Sequence, residues 1–239
     1  MIDTAVLLAA GEGSRLRDTA AVKPLCPVAG RPLIDHALAG LAAAGMRRAI
    51  VVLGYERVAI EAHLASRNWP LRVETVTSDY LLPNGVSARM AASAVGDAPA
   101  LLAMCDHLVE PALYARVAAA GAGNGLTLGI DRRLDHEWID QEDVTRVRTA
   151  GDRIVALGKV IKDYDAHDTG VFAVGPALFA ALAALPDPSL TDGVRALAEQ
   201  GKAGVVDCTG LAWLDVDDAA ALAKAEAWLG ASAHASSVR

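Results

Sequence analysis

No stretch of about 18 residues in this 239-residue chain is both apolar and free of charge, glycine and proline, so the sequence offers no membrane-spanning helix. The N-terminus, Met1-Ile2-Asp3-Thr4, lacks the basic region of a signal peptide, and the apolar run over 5–10 is too short for a signal core. Cysteine is scarce. Cys26, Cys105 and Cys208 are isolated, odd in number and without metal-ligand spacing, which excludes a disulfide framework and reads as reduced thiols filling a core. These absences predict a cytoplasmic protein with no membrane partner. Positive charge is in deficit: 29 acidic residues face 22 basic ones, a net charge of −7, the wrong sign for a general nucleic-acid binder. Any phosphate site must therefore gather its cations locally. There is no internal repeat.

What the chain does have is apolar residue, 53% of the total, enough for a large core and too much for a disordered chain. The length fits one α/β domain, expected over 1–229. Short apolar runs at 5–10, 49–53, 100–104 and 126–130 read as buried strands, and 71–76 alternates like a third strand after the first two. Between them, 32–44, 58–65, 85–95 and 111–120 read as helices, with Asn84 as an N-cap. That alternation predicts a Rossmann-like, mainly parallel sheet with helices on both faces. After Asp131 the texture changes. Segments 144–148, 153–157 and 170–174 are short and β-like, and they predict a small mixed β subregion, about 131–175, capping the sheet. Helices follow at 176–185 and 193–200, a strand at 203–207 and a last helix at 219–229; 230–239 is small and polar and reads as a flexible tail.

The first strand runs into Gly11-Glu12-Gly13-Ser14-Arg15-Leu16. Glycines let backbone N–H groups turn inward and form a nest for an anion. A dinucleotide fingerprint would need a third glycine near Leu16 and an acid about 20 residues on; neither is there. A Walker loop would need Gly-Lys-Ser/Thr, which is also missing. Gly-x-Gly alone also suits a tight strand-to-helix turn with solvated charges. Two cations beside the same loop, Arg15 and Lys23, favour a triphosphate.

The run Leu8-Ala9-Ala10-Gly11-Glu12-Gly13-Ser14-Arg15-Leu16, then Lys23-Pro24-Leu25 and Gly30-Arg31-Pro32-Leu33-Ile34, resembles the signature of the nucleotidyltransferase superfamily that makes NDP-sugars and CDP-alcohols. The resemblance implies that the loop from Leu8 through Ala10, Gly11, Glu12, Gly13 and Ser14 holds the triphosphate, while Arg15 and Lys23 stabilise charge during transfer.

Asp106 follows an apolar strand, at the carboxyl end where open α/β sheets bind ligands. Far along the chain, Trp213-Leu214-Asp215-Val216-Asp217-Asp218 supplies more carboxylates at a strand-to-helix junction. Two carboxylates from distant segments can share one hard cation, although Asp before an alanine-rich helix is equally an N-cap. The superfamily resemblance implies a metal, Mg²⁺, held by Asp106 and by Asp217, with Asp215 close behind. Pro83-Asn84-Gly85-Val86-Ser87 reads alone as a helix cap; the resemblance makes it the base-reading loop, with Asn84 or Ser87 on the base edge and Gly85 allowing close approach.

On the acceptor side, Asp131-Arg132-Arg133, Ile139-Asp140-Gln141-Glu142-Asp143, Gly158-Lys159 and Asp168-Thr169-Gly170 are polar patches between short strands. With Asp106-His107 they resemble CTP:inositol-1-phosphate cytidylyltransferases. That resemblance implies Lys159 on the acceptor phosphate, Asp168, Thr169 and Gly170 along the ring, and Glu142 among the substrate contacts. Members are often fused to a membrane phosphotransferase, a segment these 239 residues do not contain. The expectation is transfer of CMP from CTP to a small phosphorylated alcohol, with a homodimer allowed. Sugar-1-phosphate nucleotidyl transfer and activation of phosphocholine or an aminoalkylphosphonate stay open, as does a catalytically silent nucleotide-binding regulator. Scattered Trp and Tyr weigh against an aromatic cage. His107 is not needed as a base, because a phosphate monoester is mostly dianionic at pH 7.

Overall fold

The computed structural model describes residues 1–237, with side chains through residue 231. In chain order, the first half comprises β1 (Thr4–Ala9), β2 (Pro27–Val28), β3 (Arg31–Pro32), α1 (Leu33–Ala43), β4 (Arg48–Leu53), α2 (Arg57–Ala65) and β5 (Arg72–Thr77). Next come α3 (Asn84–Met90), α4 (Ala92–Val95), β6 (Ala100–Met104), β7 (His107–Val109), α5 (Pro111–Ala120) and β8 (Leu126–Asp131). The remainder is β9 (Arg146–Ala150), β10 (Arg153–Gly158), β11 (Ala166–Val174), α6 (Pro176–Ala183), α7 (Leu190–Glu199), β12 (Ala203–Asp207), β13 (Trp213–Asp215) and α8 (Ala219–Ser237).

Nine strands form one sheet in the order β5-β4-β1-β6-β11-β8-β12-β10-β9. Strands β5, β4, β1 and β6 run parallel, as do β8 and β12. Strand β11 is antiparallel to both β6 and β8, and β10 is antiparallel to β12 and β9. The α/β, Rossmann-like architecture is as expected, but the sheet is mixed. The segments expected to cap it join it instead. Nine-residue β11 lies between β6 and β8 and also pairs with β9, so the late strands satisfy their backbone groups within the main sheet.

Apolar runs such as Thr4–Ala9 are buried because helices cover both faces. One face packs Leu38 and Leu41 of α1, Ile60 of α2 and Leu113 and Val117 of α5. The other packs Ala88 of α3, Leu178 and Leu182 of α6, and Val194 and Leu197 of α7. A smaller cluster joins Leu16, Cys26, Val28, Leu33, Leu108, Leu214, Val216 and Ala225, tying the glycine loop to β7, β13 and α8. All three cysteines are free and buried, as their isolation predicts.

Two boundaries differ from expectation. Helix α8 runs past Leu229 to Ser237, because its alanine-rich sequence tolerates Gly230; of the expected tail, 238–239 lie outside the described residues. Asn84 does not cap α3. Pro83 is the N-cap, and Asn84 Oδ1 instead accepts the Leu190 N–H at 2.8 Å, satisfying a donor at the start of α7. Asn84→Ala should therefore lower unfolding stability by about 1 kcal/mol in urea titrations, the usual cost of losing such a bond. No measurable change would detach Asn84 from α7.

Candidate functional site

Strand β1 and the loop after it line a cleft of about 290 Å³ that includes Leu8, Gly11, Gly13, Ser14, Lys23 and Asp106. Gly13 has φ +62°, and a Cβ there would lie 2.4 Å from Lys23 Cβ. The missing side chain thus makes room for the Lys23 stem as well as freeing the backbone. Ala10 and the Glu12 side chain do not line the cleft. The Ala10 carbonyl accepts the Tyr55 N–H at 2.9 Å, and Glu12 pairs with Arg17.

Lys23 is 7% exposed, and its Nζ donates to Asp106 Oδ2 at 2.7 Å and to Asp217 Oδ1. Burial alone would depress the ammonium, but Asp106, Asp215 and Asp217 outweigh it and raise its pKa above the usual lysine value. Burial likewise opposes ionisation of Asp106, and Lys23 and His107 reverse that, holding the carboxyl well below the usual range. Arg15 donates to Asp217 Oδ2 and, at 2.8 Å, to Asp143 Oδ2; Lys159 pairs with the other Asp143 oxygen. A chain of alternating charge therefore runs from Asp106 to Lys159.

The antiparallel pair β7–β13 sets Asp215 opposite His107. Along these short strands apolar and polar residues alternate. Leu108, Leu214 and Val216 point into the small third core, so His107, Asp215 and Asp217 face the other way. His107 Nε2 lies 3.5 Å from Asp215 Oδ2 and 4.0 Å from Asp106 Oδ1. Burial lowers the imidazole pKa, but Asp215, Asp106 and the Thr169 carbonyl raise it to about 10. Asp215 Oδ1 is buried without a hydrogen-bond partner. This orphaned oxygen, beside carboxylates already converging on an ammonium, fits a hard divalent cation, and Asp106, His107 and Asp215 offer ligand atoms within 4.8 Å of one another. Asp106 and Asp217 are brought together as expected, through Lys23, but both Asp217 oxygens are engaged by cations.

A second cleft, about 680 Å³, opens on the other side of Arg15, Asp106 and Asp217, which line both. Lys159, Glu142, Asp168 and Gly170, expected on the acceptor side, line it together, and so does Asn84, which was expected at the base edge instead. Three predicted residues do not. Thr169 is fully buried and its Oγ1 donates to the Gly129 carbonyl at 2.8 Å. Ser87 is buried, donating to Ser78 Oγ at 3.0 Å. Gly85 makes room for the backbone of Pro188 and Ser189, which a Cβ would meet at 2.5–2.7 Å, rather than for a base. Asp143, next to Glu142, also lines the cleft and pairs with both Arg15 and Lys159; neighbouring acids in a loop have no periodicity to tell them apart. The tryptophans are less scattered than their spacing implies: Trp138 and Trp213 both line this cleft, and Trp138 packs on Trp228 with centroids 5.2 Å apart. The Trp213 N–H is taken by Asp131 Oδ2 at 2.9 Å. His36 and His63 are bonded within the fold, to the Val28 carbonyl and to Asp35.

A glycine loop after β1, a buried lysine, and carboxylates after β6 and at β13 agree with a family comparison in which residues 5–204 match the MobA-like NTP transferase domain. The chain belongs to that family. It is a nucleotidyltransferase domain by that membership. Among curated proteins, it is 34% identical over 218 residues to a bifunctional IPC transferase and DIPP synthase of Rubrobacter xylanophilus, covering 89% of this chain and 49% of that protein. A protein of the same name from Aquifex aeolicus is 29% identical, covering 96% and 52%. The chain thus spans about half the length of the curated relatives it matches. The inositol-1-phosphate CTP transferase structure from T. maritima superposes with a TM-score of 0.83 at 23% identity, covering 94% of this chain and 96% of that one, and so shares the fold. No helix among the described residues is long and apolar enough to cross a membrane.

Within the nucleotidyltransferase cleft, burial pushes the Asp168 carboxyl from 3.8 up to about 6. Between those values the folded protein holds a proton that the unfolded chain has released, so stability contributed at this group falls as pH rises. Asp168→Asn should therefore stabilise the protein at pH 7.5 and leave it unchanged at pH 3.5, by urea unfolding. An equal effect at both pH values would mean that Asp168 does not titrate in this window.

Proposed function

We propose that the chain transfers CMP from CTP to a small phosphorylated alcohol, inositol 1-phosphate first among them, and releases pyrophosphate. The observation that carries this reading is the meeting of two clefts at Arg15, Asp106 and Asp217, one against the glycine loop and one against Lys159, Glu142 and Asp168. A two-substrate transfer needs such a junction, with the reacting phosphates side by side at its centre. The names of the half-matching relatives and of the T. maritima structure support CTP and inositol phosphate as the pair. Residues 131–175 supply Glu142, Lys159 and Asp168 to the acceptor side, and the free buried thiols suit a reducing cytoplasm.

In this scheme a dianionic acceptor phosphate oxygen attacks the α-phosphorus of CTP. A new P–O bond forms as the bond to the β-phosphate oxygen breaks, and the electron pair leaves with pyrophosphate. No general base is required, since the phosphate monoester has a second pKa of about 6. The glycine-loop amides and Ser14 hold the triphosphate, and Lys23 and Arg15 balance charge on it and on the departing pyrophosphate. Lys159, released from Asp143, meets the acceptor phosphate. Asp106 with Asp217 or Asp215 would hold Mg²⁺, whose contribution is charge neutralisation between the phosphates. The rest is positioning and electrostatics.

The direct test is a matrix of nucleoside triphosphates against phosphorylated alcohols, read by pyrophosphate release. CTP with inositol 1-phosphate should give CDP-inositol. Turnover only with UTP or dTTP and a hexose 1-phosphate would refute the substrates. A phosphocholine arm belongs in the matrix, because Trp138 and Trp213 both line the acceptor cleft.

Lys23→Met keeps the stem that packs over Gly13 and removes the charge. It should lower kcat at least about 100-fold with the circular dichroism spectrum unchanged, since one cation against a multiply charged transition state is worth several kcal/mol and each 1.36 kcal/mol is about tenfold. Near-normal kcat would reduce Lys23 to a structural counter-ion.

A further inference from the structure

His107 has no step in the scheme above, yet its ring occupies a built socket among the carboxylates. Gly170 has φ +74°, and a Cβ there would come within 2.4 Å of His107 Nδ1. Asp168 Oδ1 accepts the Gly170 N–H at 2.7 Å, which fixes that turn. The Thr169 carbonyl lies 3.1 Å from His107 Nδ1; a carbonyl can only accept, so Nδ1 carries the proton and the ring orientation is set. Trp213 stacks at 25° with centroids 6.2 Å apart.

The other ring nitrogen faces outward to Asp215 Oδ2 and Asp106 Oδ1. Asp217 has Lys23 on one oxygen and Arg15 on the other. Asp215 differs: its Oδ2 faces His107, and its Oδ1 is buried with no partner. An unpaired buried carboxylate oxygen is costly, and a bound cation removes that cost.

We infer that His107 is a positioning residue: seated on the Asp168-Thr169-Gly170 turn, it steadies Asp215 through Oδ2 and leaves Oδ1 for the divalent ion. The inference rests on the metal site of the proposed function and deepens it, because it makes Asp215 the partner of Asp106. It also gives the Asp-Thr-Gly turn a task besides lining the acceptor cleft. Groups that orient ligating carboxylates and imidazoles commonly change metal affinity by about 10–100-fold when removed.

The test is Mn²⁺ binding to the whole chain at one fixed pH, read from the electron paramagnetic resonance signal of the free ion, with and without CTP. His107→Leu, similar in bulk and without a donor, should weaken binding at least about tenfold, whereas His107→Gln, which keeps an N–H, should stay within about threefold. In an Asp215→Asn background His107→Leu should cause no further loss, because the effect runs through Asp215. Gly170→Ala should reproduce the weakening with His107 still present, which covers the case in which His107→Leu fails to fold. Unchanged affinity in His107→Leu or in Gly170→Ala, or losses that multiply in the double variant, would overturn the inference. So would a ¹⁴N modulation in the Mn²⁺ spin echo that disappears in His107→Leu, since the ring would then be a ligand. A wild-type chain that binds no Mn²⁺ in either condition would sink the metal site itself, whereas a failed substrate matrix with Mn²⁺ binding intact leaves this inference standing.

Discussion

The Lys23 ammonium, shut away between Asp106 and Asp217, is the contact on which the rest of the site depends. Three carboxylates meet three cations there: Asp106, Asp215 and Asp217 against Lys23, Arg15 and His107. In a chain whose net charge is −7, this patch is locally balanced. Each partner is expensive to bury alone and tolerable only in company. The same balance prepares the site for phosphate. In the proposed scheme an incoming triphosphate competes for Lys23 and Arg15, which frees Asp106 to join Asp215 on a divalent ion.

Holding that array needs a floor separate from the two cores that cover the sheet. The cluster of Leu16, Leu108, Leu214 and Val216 provides it. Each of these residues is a chain neighbour of a charged one: Arg15, His107, Asp215 or Asp217. Packing of the apolar partner fixes the backbone, and alternation then sends the charged neighbour toward the cleft. Long-range contacts, Lys23 with Asp106 and Asp217 and the Thr169 carbonyl with His107, then orient the side chains that this packing has placed. Helix α8 closes this floor from outside, with Ala225 inside it and Trp228 packed on Trp138.

How much of this was legible in the sequence follows from which signals are local. Short apolar runs located β1, β4 and β6, and the glycine loop with Lys23 and Asp106 followed from chemistry carried within a few residues. What failed depended on distant partners. Asn84 looks like a cap for the helix it begins, and only the arrival of α7, over 100 residues on, shows where its oxygen goes. Thr169 and Ser87 have hydroxyls suited to a ligand, but the tertiary structure turns them to Gly129 and Ser78. The late strands read as a separate cap because strand pairing across a chain leaves no trace in either segment's own pattern.

The contact between Gly13 and Lys23 has a consequence for descent. A side chain at 13 would need the left-handed backbone and would collide with the first carbon of the lysine stem. Truncating residue 23 would relieve the collision and delete the cation. Neither a side chain at 13 nor a truncation at 23 leaves both the turn and the charge in place, so the two positions, ten residues apart, constrain each other. Gly11 is different: a Cβ there would meet nothing of the protein, but it lines the cleft, so its bareness serves what enters the cleft rather than the lysine.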